Sequence, residues 1–207
     1  DDVIISKDGK RGIGTRGVRS HTVVRDRFSG GRQSYPVATR TTEEHRKCFK
    51  HFTGPGMSRV EVIVKSDADA AITAAVEECG WFPEKSVANH WPHNSWLERD
   101  VREEKEACRC VLYQSGLDYA WHSDAYPYAC FDMTLSRPSL ADGSKTQFEK
   151  ITGSEFTGPR CMFGQLVYFR DKRPEHPTLA PNLSPALFLG WRLDSGFRYR
   201  EVVKVIP

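Results

Sequence analysis

The chain has 207 residues, 39% of them hydrophobic and 11% aromatic, which suffices for a buried core and excludes a wholly disordered chain. No run of about eighteen apolar residues occurs, and the start, DDVIISKDGK, lacks a basic-then-apolar signal pattern; this argues for an intracellular, non-secreted protein without a membrane span. Net charge is only +3, but 13 Lys and Arg face 6 Asp and Glu in residues 1–60, against 9 and 16 in residues 61–150, and 8 and 5 in residues 151–207. An acidic middle between basic flanks suits a carboxylate site that handles nucleic acid, and equally suits solvated faces of mixed charge.

Residues 1–20 are rich in Gly and Arg (KRGIGTRGVR) and read as a flexible basic arm. HTVV and RQSYPVAT alternate like two strands on either side of the turn signal RFSGG. Thr41-x-x-Glu44 opens a helix with His45, Cys48, Phe49 and Phe52 on one face, and Gly54-Pro55-Gly56 closes it. VEVIV, residues 60–64, is the clearest strand and leads into Lys65-Ser66-Asp67. Residues 68–79 read as a helix stopped by Gly80, and WFPEKSVANHWPH as a loop with one short strand. Residues 94–117 carry Leu97, Val101, Cys108, Val111 and Leu112 at helical spacing. Glu98 lies in the first turn of that helix, with Arg99, Arg102, Lys105 and Arg109 following. A further helix spans 119–134, where Pro127 should kink or split it. Residues 138–159 have loop chemistry. QLVYFR, PALFLGWRL and FRYREVVKVI then read as strands, the last two joined at Asp194-Ser195-Gly196. The six cysteines form no Cys-x-x-Cys pair, so buried free thiols are expected.

Asp26 and Asp67 stand at two strand ends, and Glu98 at a helix start. Three carboxylates meeting at one point repel unless cations neutralise them, so convergence would imply a divalent ion, and oxygen-only donors favour Mg²⁺ or Mn²⁺. Each residue also has a plain structural role open to it. Asp26 suits a turn, Asp67 or Asp69 an N-cap, and Ser95-x-x-Glu98 a capping box. The pair His90 and His93 has no cysteines at zinc spacing and reads as a loop contact.

DRFSGGRQSYPV, VIVKSDADAAI and HNSWLERDVREEKEACRCVLYQSGL resemble, in that order, the three catalytic blocks of the retroviral-type integrase core found in copia-like LTR retrotransposon polyproteins. FGQLVYFR and PALFLGWRLDSGFRYR resemble the SH3-like module that follows this core. The resemblance covers about residues 21–206. It departs from the family at Ala70 and Ala71, where a glycine and an acid are usual, and at Pro92 and Ser95, which replace a glutamine and a glycine.

The resemblance implies an α/β fold, an RNase H-like mixed sheet with flanking helices, followed by a small all-β SH3-like barrel. The expected divisions are a flexible basic arm (1–20), an RNase H-like core (21–137), a linker (138–159) and the β module (160–207). The implied reaction is DNA strand transfer, in which an element 3′-hydroxyl attacks a target phosphodiester with two Mg²⁺ or Mn²⁺ ions held by Asp26, Asp67 and Glu98. The implied partners are element and target DNA and further copies of the chain, in the nucleus or a cytoplasmic particle. Lys65, Arg99, Arg102 and Lys105 are phosphate-contact candidates by charge and proximity. Two alternatives remain: a decayed or domesticated copy that binds nucleic acid or protein without catalysis, and an RNase H-like nuclease.

Overall fold

The computed structural model describes residues 13–55, 62–67, 69–85, 95–170 and 183–207. Ser20–Arg25 (β1) and Arg32–Val37 (β2) form an antiparallel hairpin in continuous register from Ser20 opposite Val37 to Arg25 opposite Arg32. Thr42–Thr53 (α1) follows, its N-terminus capped by the Thr41 hydroxyl, which accepts from Glu44 N at 3.3 Å. Ile63–Ser66 (β3) pairs in parallel with Phe82–Lys85 (β4), and Ala70–Glu78 (α2) makes the crossover between them.

Phe49 of α1, Ala75 and Val76 of α2, and Trp81 are buried together, with Val24 of β1 and Val62 and Val64 packed against them. The two helices therefore cover β1 and β3 with one apolar cluster. Their strands nonetheless belong to separate two-stranded sheets among the described residues. The structure is mixed α/β as expected, while the described strands do not form a single mixed sheet.

Ser95–Ser115 (α3) runs 21 residues and packs on His122–Ser136 (α4). Pro127 does not break α4; the interruption falls earlier, at a 3-10 turn over Tyr119–Trp121. Twelve of the fifteen α4 residues are buried. Burial on that scale outweighs the roughly 3 kcal/mol that an interior proline costs a helix. Thr134 ties α4 to β2: Arg32 N–H donates to its hydroxyl oxygen at 3.0 Å.

Leu166–Arg170 (β5), Leu183–Asp194 (β6) and Arg198–Ile206 (β7) form an antiparallel sheet in the order β5-β6-β7. Register shifts beside Gly190 and before Leu193 bend β6. The described strands make an open sheet, where a closed SH3-like barrel was expected.

This sheet shares its core with the helices. Trp191 of β6 stacks on Tyr128 of α4 at 5.2 Å, and Phe131 of α4 meets Phe148, Phe156, Trp191 and Phe197. Aromatic pairs of this kind contribute about 0.5–1.5 kcal/mol each beyond their burial. The stretch expected to be a linker therefore supplies core. It contains Gln147–Thr152 (α5), held by a capping box between Thr146 and Glu149, and both Phe148 and Phe156 pack inward. The described end of the basic arm is likewise packed: Val18 is buried, and Thr15 Oγ1 is hydrogen-bonded to Ser123 Oγ at the start of α4. Residues 1–12 lie outside the described residues. No described helix is long and apolar enough to cross a membrane.

Candidate functional site

Asp26 follows β1 directly, and its carboxylate closes the β1–β2 turn. Oδ1 accepts from Phe28 N at 3.1 Å, and Oδ2 accepts from Ser29 N at 2.8 Å and Ser29 Oγ at 2.5 Å. An aspartate folding its own downstream backbone in this way is an Asx turn. Asp67 is exposed, one residue beyond β3. Asp69 is the residue that caps α2, accepting from Ala71 N at 2.8 Å and Ile72 N at 3.2 Å. The cap therefore leaves Asp67 out, and Asp69 has a structural task of its own. Glu98 is exposed in the first turn of α3; the Ser95 side chain, which would complete a capping box, lies outside the described residues, as do His90 and His93.

One contact links two of the three acids' elements. Arg25, the last residue of β1, forms an ion pair with Asp100 in α3, each 16% exposed. The end of β1 that carries Asp26 is thereby held to the helix start that carries Glu98. The carboxylates themselves are not gathered. Among the described residues no three His, Cys, Asp or Glu side chains come close enough to hold a metal ion together. The all-oxygen donors suit Mg²⁺ or Mn²⁺, but as placed, with Asp26 turned onto Phe28 and Ser29, the three do not fit a shared ion.

The expected phosphate contacts differ among themselves. Lys65 lies opposite Glu84 across the β3–β4 pair, Nζ to Oε1 3.4 Å. Arg99 lies over the ring of Trp96, 4.9 Å from its centroid, and Trp96 is 63% exposed. Arg102 is exposed one turn further along α3. Lys105 is half-buried, and burial, then the charge of Arg109, lowers its ammonium pKa. The outward face of α3 thus carries exposed Arg99, Arg102 and Trp96 alongside exposed Glu98 and Glu106, the last paired with Arg109 at 2.5 Å, so its charge is mixed.

The inward face of α3 carries a polar network that periodicity alone does not show. Arg32 of β2 is 1% exposed and reaches Glu103 Oε2 at 3.1 Å and Glu104 Oε1 at 3.6 Å, while Arg137 holds Glu103 Oε1 at 2.7 Å. Burial would raise the Glu103 carboxyl, but hydrogen bonds from Arg137 and Arg32 prevail and lower it. Glu104 is fully buried, and desolvation pushes it up to about 7 against the opposing charge of Arg32. A second polar pair joins half-buried His21 to buried His122: His21 Nε2 and His122 Nδ1 share a hydrogen bond of 2.9 Å, and His21 Nδ1 meets Ser34 Oγ at 2.8 Å. Burial, then the charge of His122, takes His21 down to about 3.

The six cysteines are free; Cys48, Cys108 and Cys130 are buried as expected, whereas Cys79 and Cys161 are half-buried and Cys110 is exposed. Burial raises the Cys48 thiol to about 11 and the Cys108 thiol to about 12. The chain matches no protein-family model. No curated protein is significantly similar to it.

Proposed function

We propose that this chain is an integrase-type core from a retrotransposon-derived polyprotein, acting on DNA by joining an element 3′-hydroxyl to a target phosphodiester. The structural observation in its favour is the Arg25–Asp100 ion pair, which holds the strand end before Asp26 to the helix start bearing Glu98 without bringing the carboxylates together. The ordered resemblance of three blocks and the exposed Arg99 and Arg102 of α3 support it. In this reading Arg99 and Arg102 contact phosphates, and Trp96 offers a ring to an unstacked base. This reading assigns Asp26, Asp67 and Glu98 as carboxylate ligands of divalent ions, although as placed the three do not share an ion site. That use of Asp26 requires it to exchange its hydrogen bonds to Ser29.

A second reading has its own support. Asp26 is engaged as a turn residue and the three acids are not gathered, as a copy that binds nucleic acid without catalysis would allow. Strand transfer on oligonucleotides with Mg²⁺ or Mn²⁺ separates the two, with Glu98→Gln as comparison. Joined product from the wild type alone supports the first reading. Binding with no product from either protein supports the second, and cleavage without joining supports a nuclease.

A further inference from the structure

The β6–β7 turn meets the end of α1, and a cleft of about 890 Å³ opens between them. Its rim carries Lys50 from α1, Arg192 from β6, and Arg198 and Arg200 from β7, all exposed, over a floor that includes Trp81. Asp194 is the single carboxylate among the described residues that line it, and it is held by Arg200, Nε to Oδ2 2.7 Å. None of Asp26, Asp67 and Glu98 lines this cleft.

The cleft is built rather than incidental. Gly196 N–H donates to His51 O at 2.8 Å, pinning the turn to the last turn of α1. Gly54 N–H donates to Lys50 O at 3.1 Å, so two of the carbonyls at that helix end are satisfied and their partial negative charge is blunted. A Cβ on Gly54 would lie 3.0 Å from Gly196 Cα, so the two backbones touch. Phe197, next in the turn, is 1% exposed and packs on Phe52 of α1 at 5.2 Å.

We infer that this cleft is a second nucleic-acid contact, separate from α3, that takes a phosphodiester backbone. With Arg200 paired to Asp194, Lys50, Arg192 and Arg198 leave it a net positive field, which concave low-dielectric walls concentrate. Arg198 and Arg200, two apart on one strand, lie on the same face about 7 Å apart, a spacing that suits successive phosphates. Arg192 and Lys50 extend the line of charge onto a second strand and a helix. The inference rests on the DNA reading proposed above.

The test is fluorescence anisotropy of a labelled duplex oligonucleotide across a salt series, using the full chain. The variants are Arg192→Ala with Arg198→Ala, and separately Arg99→Ala with Arg102→Ala on α3. Each lost phosphate contact lowers the slope of log affinity against log salt by about 0.9. The cleft pair should therefore lower it by about 2, with affinity down on the order of tenfold and the melting curve unchanged. A normal slope in the cleft variant, with the α3 variant impaired, overturns this inference and leaves the DNA reading standing. No DNA binding by the wild type overturns both. Poly-glutamate bound as tightly as DNA, and lost equally in the cleft variant, would make this a general polyanion surface and also overturn the assignment.

Discussion

Arg25 and Asp100 form an ion pair across 75 positions of sequence, and both are only 16% exposed. A pair so shielded should exceed the 0.2–1 kcal/mol range of exposed ion pairs. In a double-mutant cycle with Arg25→Ala and Asp100→Ala, measured by urea unfolding, the coupling should be about 1–2 kcal/mol. Additive single-site effects would mean that the strand end and the helix are held together by something else.

Gly54 is the position where α1 and the β6–β7 turn come closest. Its φ of 76° is disfavoured for side-chain residues, and an added Cβ would press on Gly196 Cα. Gly54→Ala should cost about 1–3 kcal/mol. For a chain of this size that lowers the melting temperature by about 3–10 °C. An unchanged melting temperature would show that the turn is not pinned at this point.

Glu104 gives the protein a pH dependence of defined sign. Its folded pKa is raised to about 7 by burial, so the folded state holds a proton that the unfolded state releases near its ordinary value. The stability associated with that proton is full below about 4.5 and is lost as pH rises through about 7, by on the order of 3 kcal/mol. Glu104→Gln keeps the side chain neutral, so its stability relative to wild type should rise with pH across that window. A pH-independent difference would mean that Arg32 keeps Glu104 ionised throughout.

His21 acts in the opposite direction. Burial lowers its folded pKa to about 3, so its stability is full above about 6.5 and lost as pH falls toward 3. In wild type the Glu104 and His21 slopes oppose each other between about 4.5 and 6.5, and only variants separate them. His21→Gln should flatten the acid limb of the unfolding curve; an unchanged acid limb would assign it to His45, His51 or His122, whose pKa values burial also lowers.

Much of the secondary structure was legible because local signals decided it. Thr41 caps α1, and the helical spacing of Leu97 to Leu112 gives α3. The same kind of signal lies at Thr146-x-x-Glu149, but it opens a helix of only six residues within 138–159, a stretch punctuated by Pro138, Gly143, Gly153, Gly158 and Pro159 that reads as loop. Pro127 misleads for a different reason: the tertiary burial of α4 is invisible in a window of neighbours. The acids were identifiable as strand-end and helix-start residues, and the turn open to Asp26 is the role its contacts with Phe28 and Ser29 give it. The networks around Arg32 and His21 join residues about 70 and 100 positions apart, and nothing in spacing announces them.

The integrase reading requires Asp26, Asp67 and Glu98 to act as one set on DNA, although as placed they are not gathered. The most direct measurement is joined product from oligonucleotides with Mg²⁺ or Mn²⁺, comparing wild type with Asp26→Asn, Asp67→Asn and Glu98→Gln at matched DNA binding. On that reading the wild type joins DNA and each variant joins at least 100-fold less, about 2.7 kcal/mol of transition-state stabilisation. Joining that survives in any of the three, or wild-type protein that binds DNA and never joins it, would sink that reading.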